Sequence, residues 1–286
     1  MAVGKEIRTK IASVKNTQKI TRAMEMVAAA KLKKTQTRML KARPYAENIR
    51  DVVGHLMHVN PEYAHTYLVK RPIKRVGLIV FTTDRGLCGG HNVNVFRSVV
   101  QQIRAFEKDG IEVDVAVVGS KGVSYFKRLK VNVISVANEL ADTPKLADLI
   151  GTIVAMTSLY KEGKIDKLLI THNVFVNTMV QKPQTFNLLP IEKTGDAKLQ
   201  EHWDYIYEPS AEELLEAVLE RYLESQVYRA AVENAACEMA SKMVAMKSAT
   251  DNAGKMIDKL KLQYNKARQA AITQEISEIV SGAAAV

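Results

Sequence analysis

Apolar residues recur at helical spacing over the first part of the chain: Ile7, Ile11 and Val14, then Ile20, Met24 and Val27, then Leu32 and Leu40. Residues 5–43 contain no glycine or proline. Pro44 is compatible with a kink or break, yet the pattern resumes through Ile49, Val52, Val53 and Leu56. A helix is therefore expected over residues 1–58, and even stopped at Arg43 it would measure ~60 Å.

The last segment, residues 211–286, carries the stronger signal. From Ala211 to Ser281 there is no proline and a single glycine, Gly254. One seam alternates steps of four and three through Val232, Ala236, Met239, Met243, Met246, Thr250, Ala253, Ile257, Leu260, Tyr264, Ala267 and Ala271. A sustained period of about 3.5 keeps one face turned toward a partner helix. A continuous helix here would run ~105 Å, whereas a compact chain of this length has a radius of gyration near ~19 Å. Such a helix must project, and its apolar seam needs a partner. The N-terminal helix, antiparallel to it, is the expected one. The seam's Ala and Thr residues allow close approach but bury little, so the pair should be firm only inside a larger assembly.

The middle of the chain alternates differently. Arg75 to Thr83 is a strand candidate, followed by helical spacing over Val93–Glu107 and a strand over Val113–Val118. A short helix at 120–129, a strand at Val131–Val136, a helix at Leu146–Lys161 and a strand at Lys167–Thr171 continue the alternation. Met179–Leu189 is an edge-strand candidate, with Tyr205–Tyr207 as a further short one. The fold class expected is α/β: a long antiparallel coiled coil of N- and C-terminal helices plus a central Rossmann-like open α/β domain. The division is 1–58 helix, 73–190 α/β domain, 191–210 return loop and 211–286 helix.

Charge sharpens this picture. The net charge of +10 sits wholly in residues 1–50, where 13 Lys and Arg face three Glu. A local basic surface calls for an acidic protein partner, a nucleic acid or a membrane surface. No apolar run approaches the about 18 residues of a membrane-spanning helix. Lys5, Arg8, Lys10 and Lys15 interrupt any signal-peptide core, and the unbroken pattern past residue 40 reads as mature protein rather than a transit peptide. Cys88 and Cys237 lie far apart and suggest neither a disulfide framework nor a metal site, which fits a reducing cytoplasm.

The best place for chemistry is the glycine-rich stretch from Thr82 to Asn92, after a strand and before a helix. It lacks both the Gly-Lys-Ser/Thr ending and the G-x-G-x-x-G spacing. The preferred reading is a tight turn using glycine for positive φ, with Asn92 as helix cap. Cys88 as a nucleophile with His91 or His172 as base has no recognisable pairing motif. Asp84 and Arg85 read as a salt-bridging turn before an interaction site. The six histidines, including His55 and His58 three apart, show no metal-ligand clustering. Met239, Met243 and Met246 read as core before binding surface. The run Lys31, Lys33, Lys34, Arg38, Lys41 and Arg43 is a solvated basic face, a DNA contact or a site for an acidic protein.

Three stretches, IRTKIASVKNTQKITRAMEMVA at residues 7–28, TDRGLCGG at 83–90 and YNKARQAAITQEISEIVSG at 264–282, together resemble the gamma subunits of rotary F-type ATP synthases, most closely the proteobacterial ones. The resemblance runs along the whole chain. It implies a non-catalytic shaft standing inside a ring of alternating alpha and beta subunits, with the α/β domain below it on epsilon and the membrane-embedded c ring. Proton flow would turn that ring, and the shaft would present a different face to each catalytic beta subunit, where ATP is made. Met24, Arg268, Gln269, Thr273 and Glu275 match family positions that contact the alpha/beta ring, while Tyr205, Tyr207 and Glu208 match the region meeting the c ring and epsilon. The basic face of residues 5–43 would suit acidic loops of the ring, and the small apolar tail from Ile276 to Val286 a hydrophobic sleeve. No cofactor, metal or nucleic acid is implied. Membrane contact would run only through the c ring, at the cytoplasmic face of the bacterial inner membrane. The competing readings are a basic coiled-coil nucleic-acid binder and an α/β enzyme using the glycine-rich turn.

Overall fold

A computed structural model describes residues 2–59, 65–140, 142–192 and 211–283. The described chain divides into two compact units, Ala30 to Ser241 and Met1–Ala29 with Lys242–Val286. Two long helices, α1 (Ala2–Val59) and α5 (Ala211–Ala283), supply residues to both. Between them in sequence come β1 (Arg75–Phe81), α2 (His91–Lys108), β2 (Glu112–Val118), α3 (Ser120–Arg128), β3 (Asn132–Ala137), α4 (Ala147–Lys161), β4 (Lys167–Phe175) and β5 (Gln181–Leu189).

The larger unit is built on a five-stranded sheet of order β3-β2-β1-β4-β5. The first four strands are parallel, and β5 runs antiparallel to β4. Strands covered on both faces read as unbroken apolar runs, which is why β1 carries Val76, Leu78, Ile79, Val80 and Phe81. Alternation splits them. Val76, Leu78 and Val80, with Val115 and Val117, pack against Val95, Val99 and Ile103 of α2 and Phe126 of α3. Ile79 and Phe81, with Ala116 and Val118, join the core that holds Leu149, Ile153, Met156 and Tyr160 of α4. The same core takes Val53 and Leu56 of α1 and Leu219, Leu223 and Val227 of α5. Within this unit α1 and α5 run antiparallel: Arg43 meets Glu233, and Gln226 bonds the carbonyl of Ala46.

Pro44 lies inside α1 and does not end it. The carbonyl of Leu40 loses its helical partner there, but both residues are exposed and water can take that bond.

The smaller unit is a helix pair, also antiparallel: Arg8 lies over the ring of Tyr264, while Gln18 and Thr21 meet Thr250. Along α5 the seam from Met246 through Thr250, Ala253, Ile257, Leu260, Tyr264 and Ala267 to Ala271 is buried or half-buried. Between 251 and 271 the only other shielded residue is Gly254.

Along α1 the expected stripe is wrong in its middle. Ile20, Val27 and Leu40 are 60%, 54% and 58% exposed. Stepping on from Ile7, Ile11 and Val14 by four and three leads instead to Gln18, Thr21, Glu25 and Ala28, all shielded. The helical period outranks hydrophobicity here because small and polar residues permit close helix approach. The hydroxyls of Thr21 and Thr250 are 2.8 Å apart, and a Cβ on Gly254 would lie 3.1 Å from Gln18 Nε2.

Gly119, between β2 and α3, has φ +103°, and a Cβ there would lie 2.8 Å from the backbone carbonyl of Thr82. Neither strain nor clash can relax through a side chain. Gly119→Ala should therefore lower unfolding stability by about 2 kcal/mol or more, read as a fall in the denaturant midpoint of the full chain.

Candidate functional site

The glycine-rich turn packs itself shut. Asn92 is not the helix cap: it lies inside α2, whose N-cap is Gly90. Its Oδ1 accepts from the Thr83 amide at 3.2 Å and its Nδ2 donates to Thr83 Oγ1 at 2.7 Å, so it ties the turn back to the end of β1. Asp84 caps a different helix, its Oδ1 accepting from Ser120 N at 2.9 Å and Ser120 Oγ at 2.8 Å at the start of α3. Cys88 is buried beside Thr83 and Asn92, and Asn173 Nδ2 lies 3.2 Å from the His91 ring. His172 faces Glu233 instead. No nucleophile–base pair of Cys88 with His172 is assembled.

Doubly wound sheets bind phosphates at the carboxyl ends of their strands. Here that crevice is a pocket of about 230 Å³, and Ala231, Asn234, Ala235 and Glu238 of α5 form one wall. Asn234 donates to the carbonyl of Thr82 at 3.3 Å and accepts from the Asn173 amide at 3.4 Å. The long helix thus borders the place where such folds hold a ligand.

Beside this seat is a polar cluster that sequence reasoning missed. Glu233 Oε1 accepts from Arg43 Nη2 at 3.1 Å and from the Phe175 amide at 3.3 Å, and Oε2 lies 3.5 Å from His172 Nε2. Burial pushes the Glu233 carboxyl up, but His172, the Phe175 amide and Arg43 outweigh it and hold it below the usual carboxylate range. The one available signal was a glutamate amid Ala230, Ala231, Val232 and Ala236, in a stretch too apolar for a solvated face.

The basic run divides in its use. Lys31 pairs with Asp142 and Arg43 with Glu233, while Lys33, Lys34 and Lys41 stay exposed. Met239 and Met246 are buried and Met243 half-buried, as core packing requires. Among the described residues, no group of three or more His, Cys, Asp or Glu could hold a metal ion.

The smaller unit holds five of the expected site residues. Met24 is half-buried on α1; Arg268, Gln269, Thr273 and Glu275 are exposed on α5. The Thr273 hydroxyl bonds its own helix at the carbonyl of Gln269. Among the described residues neither Arg268 nor Glu275 has an ion-pair partner, so both charges point to solvent. From Ile272 onward every described side chain is exposed, including Ile279 at 71%. Tyr205, Tyr207 and Glu208 lie outside the described residues.

The family described as ATP synthase matches the chain over residues 4–286. The chain belongs to the ATP synthase gamma-subunit family. Members of this family are non-catalytic rotor components of the synthase, its central shaft. Solved structures with the same fold include a chain of the Tetrahymena thermophila mitochondrial ATP synthase, central stalk and c ring, at 22% identity and TM-score 0.60, covering 80% of this chain and 99% of that one. A Euglena gracilis mitochondrial ATP synthase rotor chain, in rotational state 1, is 20% identical with TM-score 0.66, covering 95% and 99%. A second Euglena gracilis chain, from the OSCP/F1/c-ring structure in rotational state 3, is 20% identical with TM-score 0.71, covering 99% and 94%. No described helix of this gamma-family chain is long and apolar enough to cross a membrane.

Glu233→Gln should leave the guanidinium of Arg43 without its counter-charge and destabilise the chain by about 3 kcal/mol. Because the folded carboxyl is held low, its contribution is present above the unfolded pKa and lost as pH falls through the folded one. The gap between wild type and Glu233→Gln, measured by denaturant unfolding, should narrow below the ordinary carboxylate range near 4.5.

Proposed function

We propose that this gamma-family shaft couples proton-driven rotation of a c ring to conformational change in catalytic beta subunits of a bacterial F-type synthase, of proteobacterial type. The observation that carries the reading is the one-sided burial of the terminal helix pair. A seam of period about 3.5 is covered within the pair, while Ile20, Met26 and Val27 on α1 and Ile272, Ile276, Ile279 and Val280 on α5 are exposed. Exposed apolar side chains on both helices mark an interaction face, and here they fit an enclosing ring of alpha and beta subunits. A face that differs around the shaft favours a different beta conformation at each orientation, which is a differential-contact argument.

In this reading segments 1–58 and 211–286 form the shaft, 73–190 the foot, and 191–210 the connection between foot and shaft. Met24, Arg268, Gln269, Thr273 and Glu275 meet the alpha/beta ring. The unpaired charges of Arg268 and Glu275 are free for charge-assisted bonds to ring loops. Tyr205, Tyr207 and Glu208 meet the c ring and epsilon, and the membrane is contacted only through the c ring, at the cytoplasmic face of the inner membrane. The similar structures, described as central stalk, rotor and c-ring assemblies, support this placement.

The direct test is co-purification, with alpha, beta and epsilon expected to accompany a tagged chain. Arg268→Ala should reduce ATP-driven proton pumping several-fold in assembled complexes without changing the helix content of the chain; normal pumping would remove Arg268 from the interface. Met24→Lys places an unmatched charge at a moving contact and should lower the ratio of protons pumped to ATP hydrolysed. An unchanged ratio would separate Met24 from coupling.

A further inference from the structure

Between α1 and α5 in the larger unit runs an open groove of about 560 Å³, within the size range of small-molecule sites. Its lining includes Arg38, Lys41 and Tyr45 from α1, Arg221, Glu224 and Tyr228 from α5, and Leu146 just before α4. Helical spacing puts 38, 41 and 45 on one face of α1, and 221, 224 and 228 on one face of α5. Leu146 and Tyr228 pack against the core that holds α4 and the sheet, so the floor is fixed, while Tyr45 is 57% exposed.

The charge in this lining does not balance. Glu224 Oε2 accepts from Arg221 Nη1 at 2.7 Å, and these two offset each other. Glu224 is the one acid in the lining, so Arg38 and Lys41 are surplus, and among the described residues neither has an ion-pair or hydrogen-bond partner. Lys34, one turn before Arg38, is exposed and adds to the excess, whereas Lys145 and Asp148 on either side of Leu146 carry opposite charges. These groups can be reached from the groove. Arg38 and Tyr228 are half-buried with no unpartnered polar atom sealed from solvent, and Lys41 is exposed.

The geometry points to this groove as a binding site for an organic phosphate monoester, a doubly charged head on an apolar, ring-bearing body. Two uncompensated cations match a dianion. Arginine offers a fork of donors and lysine a point charge, and both suit phosphate oxygens. The body has Leu146, Ala42 and the rings of Tyr45 and Tyr228 to lie against. Inorganic phosphate would leave that apolar wall wet, and an uncharged ring would leave Arg38 and Lys41 unanswered.

The probe is 1-naphthyl phosphate, titrated into the full-length chain by calorimetry at about pH 8, where the head is doubly charged. Saturable binding of one molecule per chain is expected. Inorganic phosphate and 1-naphthol, the head and the body alone, should each bind at least about tenfold more weakly. Arg38→Gln combined with Lys41→Gln should weaken the ester about tenfold or more, and Tyr45→Ala about fivefold. Both changes are at accessible side chains, so the fold is spared. Lys33→Gln, which removes an exposed cation of α1 outside the groove, should leave binding unchanged. Absence of saturable binding, or binding that survives the double substitution, would overturn the assignment. So would an equal loss in Lys33→Gln, equal binding of inorganic phosphate, or equal displacement by a glutamate-rich peptide, each of which would mean a general attraction of anions to a basic helix.

Discussion

Close antiparallel contact between α1 and α5 is the constraint on which the rest of the structure depends. Around Thr250 the two helices touch through residues too small or too polar to bury much area, Thr21 against Thr250 and Gln18 against Gly254 and Thr250, while Met246, Ile257 and Leu260 on either side are buried. At about 25 cal/mol per Å² of apolar surface, the stretch around Thr250 stabilises far less than a run of leucines would. What it provides is proximity, since small residues let the backbones come close. In the larger unit the same helices gain a second face. There Val53, Leu56, Leu219, Leu223 and Val227 join the sheet and α4 in one core. The seam holds the pair together, and the sheet makes part of it firm.

Apolar contact does not by itself fix where a long helix stops sliding, because one heptad looks much like the next. Polar groups on β4 and α5 supply the register. Asn234 bonds both Thr82 and Asn173, and Glu233 gathers Arg43, His172 and the Phe175 amide. Moving α5 by one turn would break these contacts and leave the buried Glu233, His172, Asn173 and Asn234 with unmet groups, each of them costly. A shaft that transmits torque needs this kind of fixed seating, and a greasy interface alone would not provide it.

The α/β alternation was legible in the sequence because strands buried on both faces must be continuously apolar, and Val76–Phe81 and Val113–Val118 are. The α5 seam was legible for a related reason: twelve positions in strict steps of four and three leave one face to bury. The α1 seam was misread where hydrophobicity and period disagree. Ile20, Val27 and Leu40 drew attention, while Gln18, Thr21 and Ala28 carry the contact. Those apolar residues look outward, and in the function proposed above they face the enclosing ring, which a single sequence cannot display. The role of Asn92 was misplaced by proximity, since a capping residue and a residue one position into the helix look alike before the turn geometry is known. The Glu233 cluster joins residues from α1, β4 and α5 with no local spacing to betray it.

The same geometry sets α5 against the strand ends of the sheet, where doubly wound folds commonly bind phosphates. A doubly wound sheet leaves a crevice at its strand ends because the helices on its two faces diverge there. Filling that crevice with phosphate requires a glycine-rich loop that opens toward solvent. In this chain Asn92 ties the start of the loop back to Thr83 and its acid caps α3, and α5 lines the crevice with Ala231, Asn234, Ala235 and Glu238. Ala231 and Ala235 keep the helix backbone close to the strand ends, as small residues do along the seam. The strand ends and the turn after β1 thus form the seat of the long helix.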